Sequence, residues 1–145
     1  MKKYRYYVAM ILLILGQVAW ANHTAIEGGL RSGLALGLRS EYDLDNQWSV
    51  RFGLAGSTGD DLSFANTNPL VLFAGLDKYA FNLNRDLPLE VGVGVVVYSS
   101  DNSTAGPYLH AIVDNLNGDK ALFAEAGIDF INGAKLQAQI GYNYY

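Results

Sequence analysis

The chain has no cysteine among its 145 residues. A small exported domain without disulfides must be held together by a metal, by burial or by lipid. After residue 21 there is also no apolar run long enough for a spanning helix. If the remainder crosses a membrane, it does so as strands. Basic runs are missing as well. The first residues are set apart from the rest: Met1-Lys2-Lys3-Tyr4-Arg5 is basic, Val8 to Leu15 is apolar, and Ala19-Trp20-Ala21 is an A-x-A processing pattern. This predicts a secretory signal peptide over 1–21 and one mature domain over 22–145. Loss of Lys2, Lys3 and Arg5 leaves seven basic residues against 14 acidic ones, a formal net charge of −7. That balance argues against nucleic acid as a partner.

What is present is alternation. In the closing stretch, Leu136, Ala138, Ile140, Tyr142 and Tyr144 share one face, and Lys135, Gln137, Gln139 and Asn143 share the other. A period of two is a strand. The same pattern recurs upstream, with Ile26, Leu30, Leu34, Leu36 and Leu38 opposite Glu27, Arg31, Arg39 and Glu41. Arg31-Ser32-Gly33 breaks this long run as a three-residue hairpin loop ending in glycine. Strands are therefore expected near 23–30 and 34–43, pairing Leu30 with Leu34.

Turns at Asp43–Asn46, Asn84–Asp86, Asn117-Gly118 and Ile131–Gly133 separate the remaining strands, with polar loops at Ser57–Pro69 and Ser99–Gly106. The first turn is expected to set Tyr42 against Trp48 and Leu38 against Phe52. Asn117-Gly118 is expected to form a type I′ turn setting His110 against Glu125 and Val113 against Leu122. The last sets Ile128 against Leu136 and Leu122 against Tyr142. A bulge near Asp77-Lys78 is expected to turn both charges off the apolar face of the strand from Leu70 to Leu83.

The sum is an eight-stranded antiparallel up-and-down transmembrane β-barrel, or seven strands if residues 24–43 form one. Three features favour lipid on the apolar face. That face is nearly free of charge, its aromatics (Tyr42, Trp48, Tyr79, Phe81, Tyr142, Tyr144) cluster near the short turns, and small residues on the other face suit a narrow lumen. With a periplasmic C-terminus, the longest connections, Ser57–Pro69 and Ser99–Gly106, fall outside. The signal peptide, the missing cysteine, the alternating strands and the aromatic terminal strand together resemble the small OmpA/OmpX-type outer-membrane barrels of Gram-negative bacteria. The resemblance is architectural and covers the mature chain. It implies the bacterial outer membrane, its lipid, periplasmic chaperones and the barrel-assembly machinery as surroundings and partners. Such families carry a terminal aromatic in phase with the apolar face; here Tyr144 is in phase and Tyr145 is not.

The polar face offers Arg39, Glu41, Arg51, Asp77, Lys78, Glu90, His110, Asp114, Glu125, Asp129 and Lys135. Paired with one another, these would plug the lumen as a structural network. Val71, Phe73, Val96, Tyr98, Tyr108, Ile112 and Phe123 also point inward, as an apolar plug of the upper barrel or a pocket for an acyl chain. His110 with Glu125 and Asp114 is the sole histidine–carboxylate constellation, but no serine stands at a spacing that makes it a nucleophile. Asp60, Asp61 and Asp101 are too scattered for a calcium site. No catalytic, cofactor-binding or metal-ligating set is assigned. The expected role is non-enzymatic, structural or surface-interacting. The alternatives are a soluble periplasmic β-barrel that binds a lipidic ligand and a small outer-membrane lipid-modifying enzyme.

Overall fold

A computed structural model of the chain describes residues 21–59, 70–99 and 103–144. The expected signal peptide, apart from Ala21, lies outside the described residues, as do Asp60, Asp61, Asp101, Tyr145 and most of the Ser57–Pro69 loop. Eight strands follow one another: β1 (His23–Arg31), β2 (Leu34–Asp43), β3 (Trp48–Ser57), β4 (Leu70–Asn84), β5 (Leu87–Ser99), β6 (Thr104–Val113), β7 (Leu122–Phe130) and β8 (Ala134–Asn143). Each pairs antiparallel with its neighbours in sequence, and β1 pairs with β8 to close the barrel. Closure leaves no sheet edge along the wall, and the backbone groups of the wall bond to one another.

The two glycine-ended loops behave as the sequence requires. Leu30 meets Leu34 across Ser32 (φ 50°) and Gly33 (φ 100°). Ile128 meets Leu136 and Leu122 meets Tyr142 across Asn132 (φ 51°) and Gly133 (φ 117°). The seven-strand alternative is thereby excluded.

Two expected registers are each displaced by two residues. Tyr42 faces Val50, and Leu38 faces Leu54. The cause is Asp45, whose Oδ1 accepts the backbone N–H groups of Gln47 at 2.7 Å and Trp48 at 2.8 Å, so the turn closes around Trp48. On β6 and β7, His110 faces Gly127 and Val113 faces Ala124. No two-residue turn forms at Asn117-Gly118. Asn115 and Asn117 both adopt left-handed backbone (φ 59° and 58°) around a 3₁₀ turn at Leu116–Gly118. A slip of two keeps every side chain on its face, so the patterning survives the error.

β4 also departs from expectation. Its pairing with β5 is regular through Tyr79↔Glu90 and shifts only between Tyr79 and Phe81, then again between Asn82 and Asn84. Asp77 therefore points inward and is buried, while Lys78 points outward beside Trp48. Tyr79, across from inward Glu90, is not part of the outer aromatic set. β6 begins at Thr104, because residues 104–106 extend its ladder with Val96–Tyr98. The β5–β6 connection is thus residues 100–103, shorter than the β6–β7 connection at 114–121. Connection length does not sort the two ends as cleanly as the sequence suggests; only the β3–β4 connection keeps the expected contrast.

The outward faces are apolar and the inward faces polar. Leu136 is 77% exposed, Leu36 65% and Val95 55%, whereas Arg31 and Arg51 are fully buried. The lumen is filled by rings set over their glycine partners on neighbouring strands. A Cβ at Gly53 would meet the Phe73 ring, and one at Gly141 the Phe123 ring. Apolar packing collects at both ends rather than only at the upper one. Val71, Phe73, Val96, Tyr98 and Tyr108 join Ile131 at the end that carries the β1–β2 and β7–β8 loops (the loop end). Ile112, Phe123 and Ala25 sit toward the opposite, turn end.

Candidate functional site

Between these plugs lies the charged core. Arg51 of β3 is its centre. Nη2 reaches Asp77 Oδ2 at 2.7 Å and Glu41 Oε2 at 3.6 Å, and Nη1 donates to Glu125 Oε2 at 3.0 Å. His110 places Nε2 2.6 Å from Asp77 Oδ1 and Nδ1 3.5 Å from Glu125 Oε1. Arg39 lies 3.6 Å from Glu125 and 3.9 Å from Glu41, with its guanidinium over the Phe123 ring at 3.7 Å. Ser49 Oγ donates to Glu41 Oε1 at 2.6 Å.

A second group sits toward the loop end. Arg31 makes a bidentate contact with Asp129, Nε to Oδ2 at 3.0 Å and Nη2 to Oδ1 at 3.1 Å. This fork geometry is the strong form of a carboxylate–guanidinium pair. Tyr98 donates its hydroxyl to the same Oδ2 at 2.5 Å, and Arg31 stacks over Phe73 at 4.3 Å. Lys135 donates to Ser32 Oγ at 3.2 Å.

Of the polar residues read from sequence, Arg39, Glu41, Arg51, Asp77, His110 and Glu125 come together in one network. Asp129 joins the Arg31 group instead. Lys78 leaves the lumen altogether. Glu90 and Asp114 line an open vestibule of about 600 Å³ at the turn end, with His23, Asp43 and Lys120. Burial pushes the Asp114 carboxyl above its ordinary range. Arg31 and Glu27 were missing from the expected set, although each falls on the inward parity of β1. Arg31 looked like a loop residue. Glu27 is 1% exposed, and neither carboxylate oxygen has a hydrogen-bond partner among the described residues.

The chemistry available is limited. His110 is flanked by Asp77 and Glu125, not by Asp114, so both ring nitrogens already face carboxylates. Ser49, in the same layer, is bound to Glu41 rather than to His110. A hydrolytic triad needs a nucleophile on the imidazole, and none is placed there among the described residues. Glu41, Asp77 and Glu90 bring carboxylate oxygens within 4.8 Å of one another, the spacing of a cation site. Arg51 contacts two of the three, so a guanidinium already supplies the positive charge there. The arrangement is that of a braced, plugged interior. Comparison with protein-family models, with curated proteins and with solved structures returns no match for this chain.

Proposed function

We propose that this chain is an integral outer-membrane β-barrel with a non-enzymatic role, as a structural element or as a scaffold for surface interactions through its β3–β4 and β5–β6 connections. The observation that carries the reading is inversion. Among the described residues, the outward faces of eight strands bear Leu, Val, Ala, Ile and aromatics with the single charge Lys78, while three arginines and five carboxylates are buried inside. Water penalises that arrangement and lipid rewards it. Tyr42, Trp48 and Tyr142 at the turn end supply an aromatic girdle on the same surface. With that end periplasmic, the surroundings in this reading are outer-membrane lipid, periplasmic chaperones and the assembly machinery.

The network of Arg51, Arg39, Asp77, His110 and Glu125 acts in this reading as internal bracing. Arg39 and Arg51 reach Glu125 across the lumen, and Asp77 ties β4 to β3 and β6, so the wall keeps its shape although its outer surface has no hydrophobic drive in lipid. The periplasmic lipid-binding alternative needs an apolar cavity, whereas the lumen here is occupied by charges and rings. The lipid-modifying alternative needs a free imidazole nitrogen and a nucleophile, and His110 has both nitrogens against carboxylates.

The test is assembly. Purified chain refolded into detergent or liposomes should migrate differently on a gel before and after boiling and resist protease. Val93→Arg, at the middle of the outward face of β5, should cost about 2–4 kcal/mol and suppress insertion. A variant that stays soluble, folded and monodisperse without detergent would sink the proposal.

A further inference from the structure

The wall is not level at the turn end. β3 begins at Trp48, which pairs with Lys78, and the last backbone bond between these strands runs from Tyr79 N–H to Gln47 O at 2.9 Å. β4 nevertheless continues to Asn84, paired only with β5, while β5 meets β6 from Leu89, with one further bond from Asp114 N–H to Pro88 O at 3.2 Å. Residues 80–87 are therefore a two-stranded extension beyond the rim, tied on its β5 side to the β6–β7 connection by Asn115 Nδ2, which donates to Asp86 O at 3.0 Å. Five further residues at about 3.3 Å each would carry it about 17 Å if straight. It is not regular: both register shifts of the barrel's longest ladder fall within it, and bulges bend and twist a ribbon.

Its chemistry differs from the other turns at this end. Phe81 is 55% exposed and, paired with Leu89, continues the outward face of the barrel; Leu83 is 52% exposed. Lys78 stands on the same outward face with its ammonium 5.0 Å from the centre of the Trp48 ring. Arg85, at the tip, is exposed and makes no ion pair among the described residues. Asp86 stands beside Arg85, so with Lys78 this corner carries two cations and one acid, against Asp43 and Asp45 at the β2–β3 turn and Asp114 and Asp119 with Lys120 in the β6–β7 connection; among the described residues it is the one corner of this rim with a net positive charge.

We infer that the bent β4–β5 extension is a docking site for an anionic lipid surface, with Phe81 and Leu83 entering the headgroup layer and Lys78 and Arg85 facing lipid phosphates. The inference rests on the membrane reading above and names the lipid chemistry at one corner of the barrel. The dimensions agree. If Trp48 and Lys78 mark the edge of the hydrocarbon, Phe81 lies about 8 Å beyond it in a strand tilted by about 40°, within the headgroup layer of roughly 5–8 Å. A straight extension would put Leu83 into water; the two bulges bend the ribbon instead, and its tip is held beside the β6–β7 connection by the Asn115–Asp86 bond. Headgroups would also serve the unpaired backbone edge of residues 80–84. Each cation near such a surface is worth roughly a fivefold enrichment of anionic over neutral lipid.

The missing cysteines make the test clean. Leu83→Cys and, as a reference in mid-wall, Val93→Cys are labelled with bimane in the full chain, refolded into phosphatidylcholine liposomes with and without phosphatidylglycerol. The label at 83 should be quenched by lipid brominated near the glycerol end of the acyl chain, more strongly when phosphatidylglycerol is present. Lys78→Gln with Arg85→Gln should abolish that increase. A label at 83 quenched only by aqueous iodide, while the label at 93 is quenched by deeply brominated lipid, overturns this inference and leaves the barrel in the membrane. Indifference of the wild-type tip to phosphatidylglycerol overturns the assignment of an anionic surface. If the label at 93 is aqueous too, the membrane reading itself falls.

Discussion

Arg51 on β3 and Asp77 on β4 meet at 2.7 Å with neither side chain exposed. The two are diagonal neighbours, since Arg51 pairs with Gly75 and Asp77 with Ser49. The guanidinium lies across the lumen and reaches Glu125 on the far wall as well, while the space over Gly75 is taken by the Tyr108 hydroxyl. Breaking a buried pair strands the remaining charge. Arg51→Met should therefore destabilise the refolded barrel by about 3–5 kcal/mol, read as a lower urea midpoint for loss of the compact gel form. An unchanged midpoint would mean that Asp77 and Glu125 are held by other groups.

The ring-on-glycine contacts make a second prediction. Gly141→Ala drives a methyl into the Phe123 ring and should cost about 1–3 kcal/mol, the usual penalty for overpacking. Phe123→Leu in the same chain should recover part of that loss. If the two changes simply add in a double-mutant cycle, the ring does not occupy the space over Gly141.

Tyr98 offers a milder perturbation. Its hydroxyl donates to the Asp129 carboxylate that Arg31 also grips. Tyr98→Phe keeps the ring and removes one charge-assisted bond, an expected loss of about 1.5–3 kcal/mol in the same unfolding assay. Lys135→Met should cost less, since its hydrogen bond to Ser32 is only partly buried.

Asp114, at the turn-end vestibule, gives the pH dependence. Burial is the main reason its carboxyl is raised above the ordinary aspartate value of 3.8, with the Arg39 charge opposing. A raised acid favours the folded state while protonated. The stability it contributes is present below the ordinary aspartate range and is lost as pH climbs through its folded value. Asp114→Asn should flatten that part of the stability–pH curve just above the aspartate range. A curve that keeps the wild-type slope there would remove Asp114 as its source.

Strand count, closure and facing were legible because alternation over ten residues leaves one choice of face, and because loops such as Arg31-Ser32-Gly33 and Ile131-Asn132-Gly133 need a left-handed glycine at one position. What escaped was chemistry that does not alternate. The turn before Trp48 was decided by one side chain, Asp45, capturing two backbone N–H groups. The β6–β7 connection was decided by Asn115 and Asn117 both taking left-handed backbone, which turned an apparent two-residue hairpin signal into a longer loop. The β4 bulges sit two residues beyond the place where the hydrophobic phase changes. The inward charges could be named but not paired: His110 met Asp77, 33 positions earlier, in place of the expected Asp114. The two meet over Gly92 of the intervening strand, and no pattern local to either strand encodes that contact. Glu27 and Arg31 fell on the polar parity of β1 but were left out of the lumen set, Arg31 because it opens the Arg31-Ser32-Gly33 loop and Glu27 because Gly28 and Gly29 make the strand look weak.

Closure between β1 and β8 has a kinetic consequence. Ala25 to Arg31 pair with Gln137 to Asn143, and the Arg31–Asp129 bond spans 98 positions of chain. Such contacts are the slowest to form, because the intervening chain must be ordered before they give any return. Until they form, the chain is an open sheet with two unpaired edges, and Arg31 and Asp129 stand apart toward opposite ends of it. Such a species is prone to aggregate, and it is the state in which a holding chaperone would do the most good.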